Sequence, residues 1–346
     1  RDRSGVATEV PLWPAEQQVP AEPAIVVDNL TKRYGTTEAV RGVSFSVAAG
    51  EIFGFLGPNG AGKSTTISML CTLVRPSAGH ARVAGADIVE DREAVRGQIG
   101  LVFQDQTLDE YLTAEENLRF HGELYGVPKA ELGGRIRQIL EMVELWDRRD
   151  EVVQNFSGGM RRRLEIARGL LHSPRVLFLD EPTVGLDPQT RAHIWTYIET
   201  LHRAEQITIL LTTHYMDEAE HCDRIAIIDH GQIVALDTPE ALKAAVGQDR
   251  IEILVDDPDA AIAAIGEHFG ITAATSEGAV TFFVNDGAEF VPRLFAESGL
   301  PIHSVRVARP TLDDVFMSYT GTTIRDAEAS GSEQRHNNPR MMARRR

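Results

Sequence analysis

The sequence predicts an α/β protein: a parallel core sheet flanked by helices, followed by a smaller unit in the order βαββαβ. Three observations carry this expectation. A strand-like run at 51–56 ends on a glycine-rich loop and leads into a helix-like stretch. Three later apolar runs of buried-strand type, at 176–179, 208–211 and 225–228, alternate with helical segments, the pattern of a parallel sheet. Beyond about Gly247 the pattern changes to strand, helix, two strands, helix and strand, the ferredoxin-like plan.

In chain order, 24–27, 43–47 and 51–56 are short runs rich in β-branched and aromatic residues, hence strands. The helix-like stretch 63–73 stops before Pro76, as a proline demands. Residues 114–124 and 129–145 read as helices. After the three buried strands, His230-Gly231 makes a tight turn into a strand at 232–234. The second unit reads as strand 251–255, helix 258–269, strands 271–275 and 279–284, helix 288–298, strand 302–307 and a closing helix at 311–319. The organisation expected is a loose Pro- and Glu-rich arm at 1–23, a first domain at 24–246, a second at 247–320 and a polar tail at 321–346.

Composition narrows the function classes. The chain has 346 residues, 42% hydrophobic and 25% charged, which suits about two globular domains. Its formal charge of −16 argues against a broad duplex-DNA footprint. The longest unbroken apolar run spans 260–265, far short of the roughly 20 residues that a bilayer-spanning helix needs. Two cysteines cannot build a disulfide framework, so a reducing compartment is expected.

Two motifs carry chemistry. Gly57-Pro58-Asn59-Gly60-Ala61-Gly62-Lys63-Ser64-Thr65 fits G-x-x-x-x-G-K-[ST], the P-loop, and it sits between a strand and a helix as that loop requires. Glycines let the backbone approach a phosphate closely, and successive N–H groups then face it at the positive end of the next helix. Lys63 would reach the β- and γ-phosphates, and the Ser64 hydroxyl would bind Mg²⁺. The second motif is the apolar strand at 176–179, ending in Asp180 and Glu181. An Asp there can hold Mg²⁺ through its water shell, and the adjacent Glu can polarise an attacking water. Taken alone, two acids at a strand end also suit a solvated turn.

Asn155-Phe156-Ser157-Gly158-Gly159-Met160-Arg161 resembles the signature motif of ATP-binding-cassette (ABC) proteins, with Phe and Met where Leu and Gln are usual. More narrowly, the chain is similar to ATPase subunits of exporters of the daunorubicin/doxorubicin-resistance type. The stretches that suggest this are 69–76, 156–164 and Pro310-Thr311-Leu312-Asp313-Asp314-Val315-Phe316.

The resemblance implies a P-loop ABC ATPase domain with a parallel core sheet, an antiparallel β subdomain and a helical subdomain at about 105–165. It implies ATP and Mg²⁺ as ligands. Tyr34 would stack on adenine, Gln104 would be the Q-loop glutamine that ligates Mg²⁺ and water, Asp187 would belong to the D-loop, and His214 would be the switch histidine near the γ-phosphate. Ser157, Gly158 and Gly159 would carry phosphate contacts to a nucleotide bound by an opposite copy. Glu181, His214 and Lys63 would be catalytic, and Ser64, Gln104 and Asp180 would hold the metal.

The partners implied are a second nucleotide-binding subunit and a separate polytopic membrane permease, docked near 105–117, with the chain peripheral on the cytoplasmic face of the cell membrane and no nucleic acid bound. The alternative is a soluble ABC regulator acting on ribosomes or nucleic acid, which usually joins two cassettes; this chain has one P-loop.

Overall fold

The computed structural model describes residues 22–276 and 279–320; residues 1–21 of the arm expected at 1–23, and the tail expected at 321–346, lie outside the described residues. The chain opens with β1 (Ile25–Tyr34) and β2 (Thr37–Val47), an antiparallel hairpin. β3 (Ile52–Leu56) runs into the glycine loop and α1 (Lys63–Leu70) leaves it. β4 (Ala78–Val83) and β5 (Ala86–Asp87) return to the hairpin and complete a four-stranded antiparallel sheet in the order β2-β1-β4-β5.

α2 (Arg92–Gln98) and β6 (Ile99–Val102) precede a helical region of α3 (Ala114–Leu124), α4 (Lys129–Met142) and α5 (Gly158–Leu170). The core then resumes with β7 (Val176–Asp180), α6 (Pro188–Glu205), β8 (Thr208–Thr213), α7 (Met216–Ala219), β9 (Arg224–Asp229) and β10 (Gln232–Asp237). The six-stranded sheet has the order β10-β9-β3-β8-β7-β6. β3, β7, β8 and β9 pair in parallel, as expected from their apolar runs, and β6, which the sequence reading does not include, joins them in parallel at the edge. All six residues of β8 and all five of β3 are buried.

Where the antiparallel sheet meets the core, Phe45, Phe53 and Phe55 form a cluster with centroids 5.0 to 5.7 Å apart. Phe53 and Phe55 are fully buried; truncating either to Ala would cost about 3–5 kcal/mol.

The described residues divide into two compact units, the second starting at Asp237. It contains α8 (Pro239–Val246), β11 (Asp249–Val255), α9 (Pro258–Phe269), β12 (Ala274–Ser276), β13 (Ala279–Val284), α10 (Gly287–Glu297), β14 (Ile302–Ala308) and α11 (Leu312–Thr320). Its antiparallel sheet has the order β12-β13-β11-β14, which places the first strand between the third and fourth, the ferredoxin-like arrangement.

Several sequence expectations differ from the structure; among them, the helix expected at 63–73 ends at Leu70. The division falls ten residues before 247, because α8 packs against α11 rather than closing the first unit. The strand expected at 271–275 is confined to Ala274–Ser276, and the helix expected to reach 145 ends at Met142, after which Glu144 turns left-handed at φ 55°.

Candidate functional site

The strands β3, β7 and β8 end side by side, and at the carboxyl ends of a parallel sheet the connecting loops frame a crevice. The β3–α1 loop lies there. Gly62 is the N-cap of α1 at φ 109°, and no side chain caps that helix. Its first N–H groups therefore point into the loop with capacity to bind an anion. A Cβ on Gly62 would come within 2.6 Å of the Ala39 carbonyl oxygen, and one on Gly57 within 2.2 Å of the Ile228 carbonyl oxygen. Backbone contacts thus close both positions to larger residues.

Lys63 is 3% exposed. Its Nζ donates to the Gly57 and Pro58 carbonyls at 2.6 and 3.1 Å, and Glu181 Oε1 lies 3.3 Å away. Glu181 is itself buried and left-handed at φ 48°. A non-glycine residue held there stores about 1–3 kcal/mol of strain, which persists only where neighbours fix it. Its N–H donates to Thr212 Oγ1 at 3.0 Å, and His214 Nδ1 lies 3.4 Å from its Oε1. Asp180 Oδ1 accepts from Thr212 Oγ1 at 2.5 Å and from Ser64 Oγ at 3.0 Å.

The two neighbouring acids are tuned in opposite directions. Burial, reinforced by the charge of Glu181, holds Asp180 above the ordinary carboxylate range, although the Thr212 and Ser64 hydroxyls and Lys63 pull it down. Burial also pushes Glu181 up, but His214 and Lys63 together outweigh it and leave its carboxyl below the ordinary value. Glu181 is therefore an anion at neutral pH, aimed at a lysine.

Above these groups lies a cavity of about 350 Å³ lined by Ala39, Asn59, Gly60, Gly62, Lys63, Ser64, Thr65, Gln104 and Glu181. Gly57, Pro58 and Ala61 are buried in the loop that underlies it. Asp180 reaches it through Ser64, and His214 through Glu181.

The other expected residues lie outside that lining. Tyr34 ends β1, about half exposed, with Lys32 Nζ 4.9 Å from its ring centroid. Ser157 is the N-cap of α5 and accepts from the Met160 N–H at 3.3 Å, with Ser157 and Gly158 exposed and Gly159 half-buried. Asp187 is the N-cap of α6 and accepts from Thr190 N and Oγ1. These last two turns adjoin each other: a Cβ on Gly159 would meet Thr190 Cγ2 at 2.5 Å. Sequence reasoning missed Ala39 and Thr212. Ala39 carries no signal by type, whereas Thr212 directly follows the apolar run at 208–211 and could have been found from its proximity to the strand end.

A family profile described as "ABC transporter" matches residues 40–184, and one described as "ATP-binding protein DrrA1-3-like, C-terminal domain" matches 238–320. The daunorubicin resistance ATP-binding protein DrrA3 of Streptomyces coeruleorubidus is 41% identical over 90% of this chain and 100% of its own length.

The chain belongs to the ATP-binding proteins of ABC transporters.

Another relative of this family, the linearmycin resistance ATP-binding protein LnrL of Bacillus subtilis (strain 168), is 39% identical over 86% of this chain and 99% of its own. Among solved structures, a dimeric ATP-binding cassette in a post-hydrolysis state bound to ADP and Pi is similar, with a TM-score of 0.56 and 27% identity, covering 62% of this chain and 98% of that one. As an ABC ATP-binding protein this chain binds ATP and is an ATPase. Among the described residues no helix is long and apolar enough to cross a membrane.

Proposed function

We propose that this chain drives export of antibiotics or other hydrophobic compounds through a separate membrane permease, to which it docks at the cytoplasmic face of the membrane. We further assign the nucleotide to residues 57–65, and read the working unit as a head-to-tail pair of subunits. The observation that carries the reading is the convergence of an uncapped helix start, Lys63, Ser64, Gln104 and Glu181 on one cavity, with Ser157 and Gly158 exposed elsewhere. A single loop covers one side of a triphosphate; the exposed turn of a second copy would supply N–H groups to the other.

The donor set fits Mg²⁺. The Ser64 hydroxyl, the Gln104 amide and the Asp180 carboxylate are hard oxygen donors, and Ser64 and Asp180 already meet at 3.0 Å. Bound there, Mg²⁺ would offset phosphate charge. The remaining steps belong to the protein. Lys63 exchanges the Gly57 and Pro58 carbonyls for phosphate oxygens. Glu181, released from part of its pairing, accepts a proton from the attacking water, while His214 holds the γ-phosphate. ATP favours the closed pair through contacts made only there, and loss of the γ-phosphate reopens it.

The permease contact is assigned to 105–117. There Asn117 Oδ1 accepts from the Asp109 N–H, its Nδ2 donates to the Asp109 carbonyl, and Tyr111 stands 82% exposed. The antibiotic cargo rests on the relatives named for daunorubicin and linearmycin resistance. The test is co-purification with a polytopic membrane protein, followed by ATPase assays in lipid. The reading requires association and a changed rate; no association and an unaltered rate would refute it.

A further inference from the structure

We propose that Arg162 is a positioning residue that ties the signature turn of each subunit to the hydrolytic strand end of the same subunit. This rests on the paired reading above. Arg162 lies in the second turn of α5, the helix that Ser157 caps, and is 6% exposed. A guanidinium has five N–H donors, and here five acceptors surround it. Nε donates to the Pro182 carbonyl. Nη1 donates to the Phe103 carbonyl at 2.6 Å and to Glu165 Oε2 at 2.9 Å. Nη2 donates to the carbonyls of Glu181 at 3.1 Å and Asp180 at 3.4 Å.

Two consequences follow from those partners. First, the carbonyls of Asp180, Glu181 and Pro182 bracket the left-handed residue. Arg162 is thus one of the neighbours that hold Glu181 in its strained conformation and aim its carboxylate at the cavity. Second, Phe103 immediately precedes Gln104, and Glu165 Oε1 accepts from the Thr107 N–H at 2.9 Å on the same loop. One buried ion pair therefore joins three segments: the Q-loop, the strand end that serves a subunit's own nucleotide, and the helix whose cap faces the partner's nucleotide. A shift of α5 when the partner's nucleotide docks would be felt at Glu181 without passing through solvent. Lysine, with three donors and no planar fork, cannot reproduce the set.

The test uses the full chain. Arg162→Lys is the simple variant. Because a lone buried charge is destabilising, Arg162→Met/Glu165→Gln is the second; it leaves no unpaired charge and keeps an acceptor for Thr107. ATP affinity is measured by titration without Mg²⁺, and kcat and the Hill coefficient by steady-state hydrolysis, with thermal melts alongside. The proposal expects kcat to fall at least tenfold and the Hill coefficient to drop to 1, with ATP affinity within threefold of wild type and the double variant melting within a few degrees. Wild-type kcat and Hill coefficient in both variants would overturn it, as would loss of ATP affinity in step with kcat. A wild type that hydrolyses ATP as a monomer would instead sink the paired reading and the cross-site half of the proposal. The kcat comparison would still decide whether Arg162 sets Glu181.

Discussion

Replacing Glu181 with Gln separates binding from chemistry. The side chain keeps its volume and an oxygen near Lys63 Nζ, which in any case retains the Gly57 and Pro58 carbonyls. The loss is a buried charge–charge contact, about 1.5–3 kcal/mol of stability by the range for hydrogen bonds to charged groups. Nothing in the phosphate loop need move, so ATP affinity should change little. Catalysis loses its base. General-base catalysis contributes about 10²–10⁴-fold, or roughly 3–5 kcal/mol of barrier. The expected result is hydrolysis at least a hundredfold slower, with a stable pair accumulating at saturating ATP and Mg²⁺ because the reopening step is blocked. Steady-state phosphate release and sedimentation with ATP read the two effects. Hydrolysis within threefold of wild type would refute the role given to Glu181, and a variant that stays monomeric would refute the paired site.

Lys63→Ala should weaken ATP binding at least tenfold in equilibrium titration, since a buried lysine that lines the cavity is removed. Gly62→Ala should abolish ATP binding and cost at least ~1–3 kcal/mol of stability, the strain of φ 109° alone, because its Cβ also meets the Ala39 carbonyl; retained affinity would contradict the loop geometry. Burial, then Arg168 and His172, lower the His121 pKa to about 4, whereas an unfolded chain titrates it near 6.5. Its neutral form is favoured in the fold, so stability is full above about pH 6.5 and declines as pH falls toward 4. His121 is half-buried, so solvent screening discounts the effect to ~1–2 kcal/mol. Acid melts of His121→Gln should lose that dependence.

The parallel core and the phosphate loop were legible because each is written in contiguous residues. β8 is a run of buried apolar and Thr residues, and residues 57–65 form one loop between one strand and one helix. The second half of β1 was not legible. Asn29 turns left-handed at φ 48° and the pairing slips between Val27 and Leu30, which breaks the alternation that marks a strand. β4, with the sequence AGHARV, hides for want of apolar residues. The expected boundary at 247 missed α8 because its attachment to α11 is a tertiary contact between segments far apart in sequence. The same holds at the site. Asp180 and Glu181 are visible as adjacent acids, but the left-handed backbone of Glu181, the Thr212 hydroxyl shared between them and the five acceptors of Arg162 exist only once distant strands and loops meet.

The most direct measurement is a crystal structure of Glu181→Gln grown with ATP and Mg²⁺. It should contain two copies with each triphosphate lying against residues 57–65 of one and the Ser157–Gly158–Gly159 turn of the other. A triphosphate bound away from that loop, or enclosed by a single copy, would contradict the account.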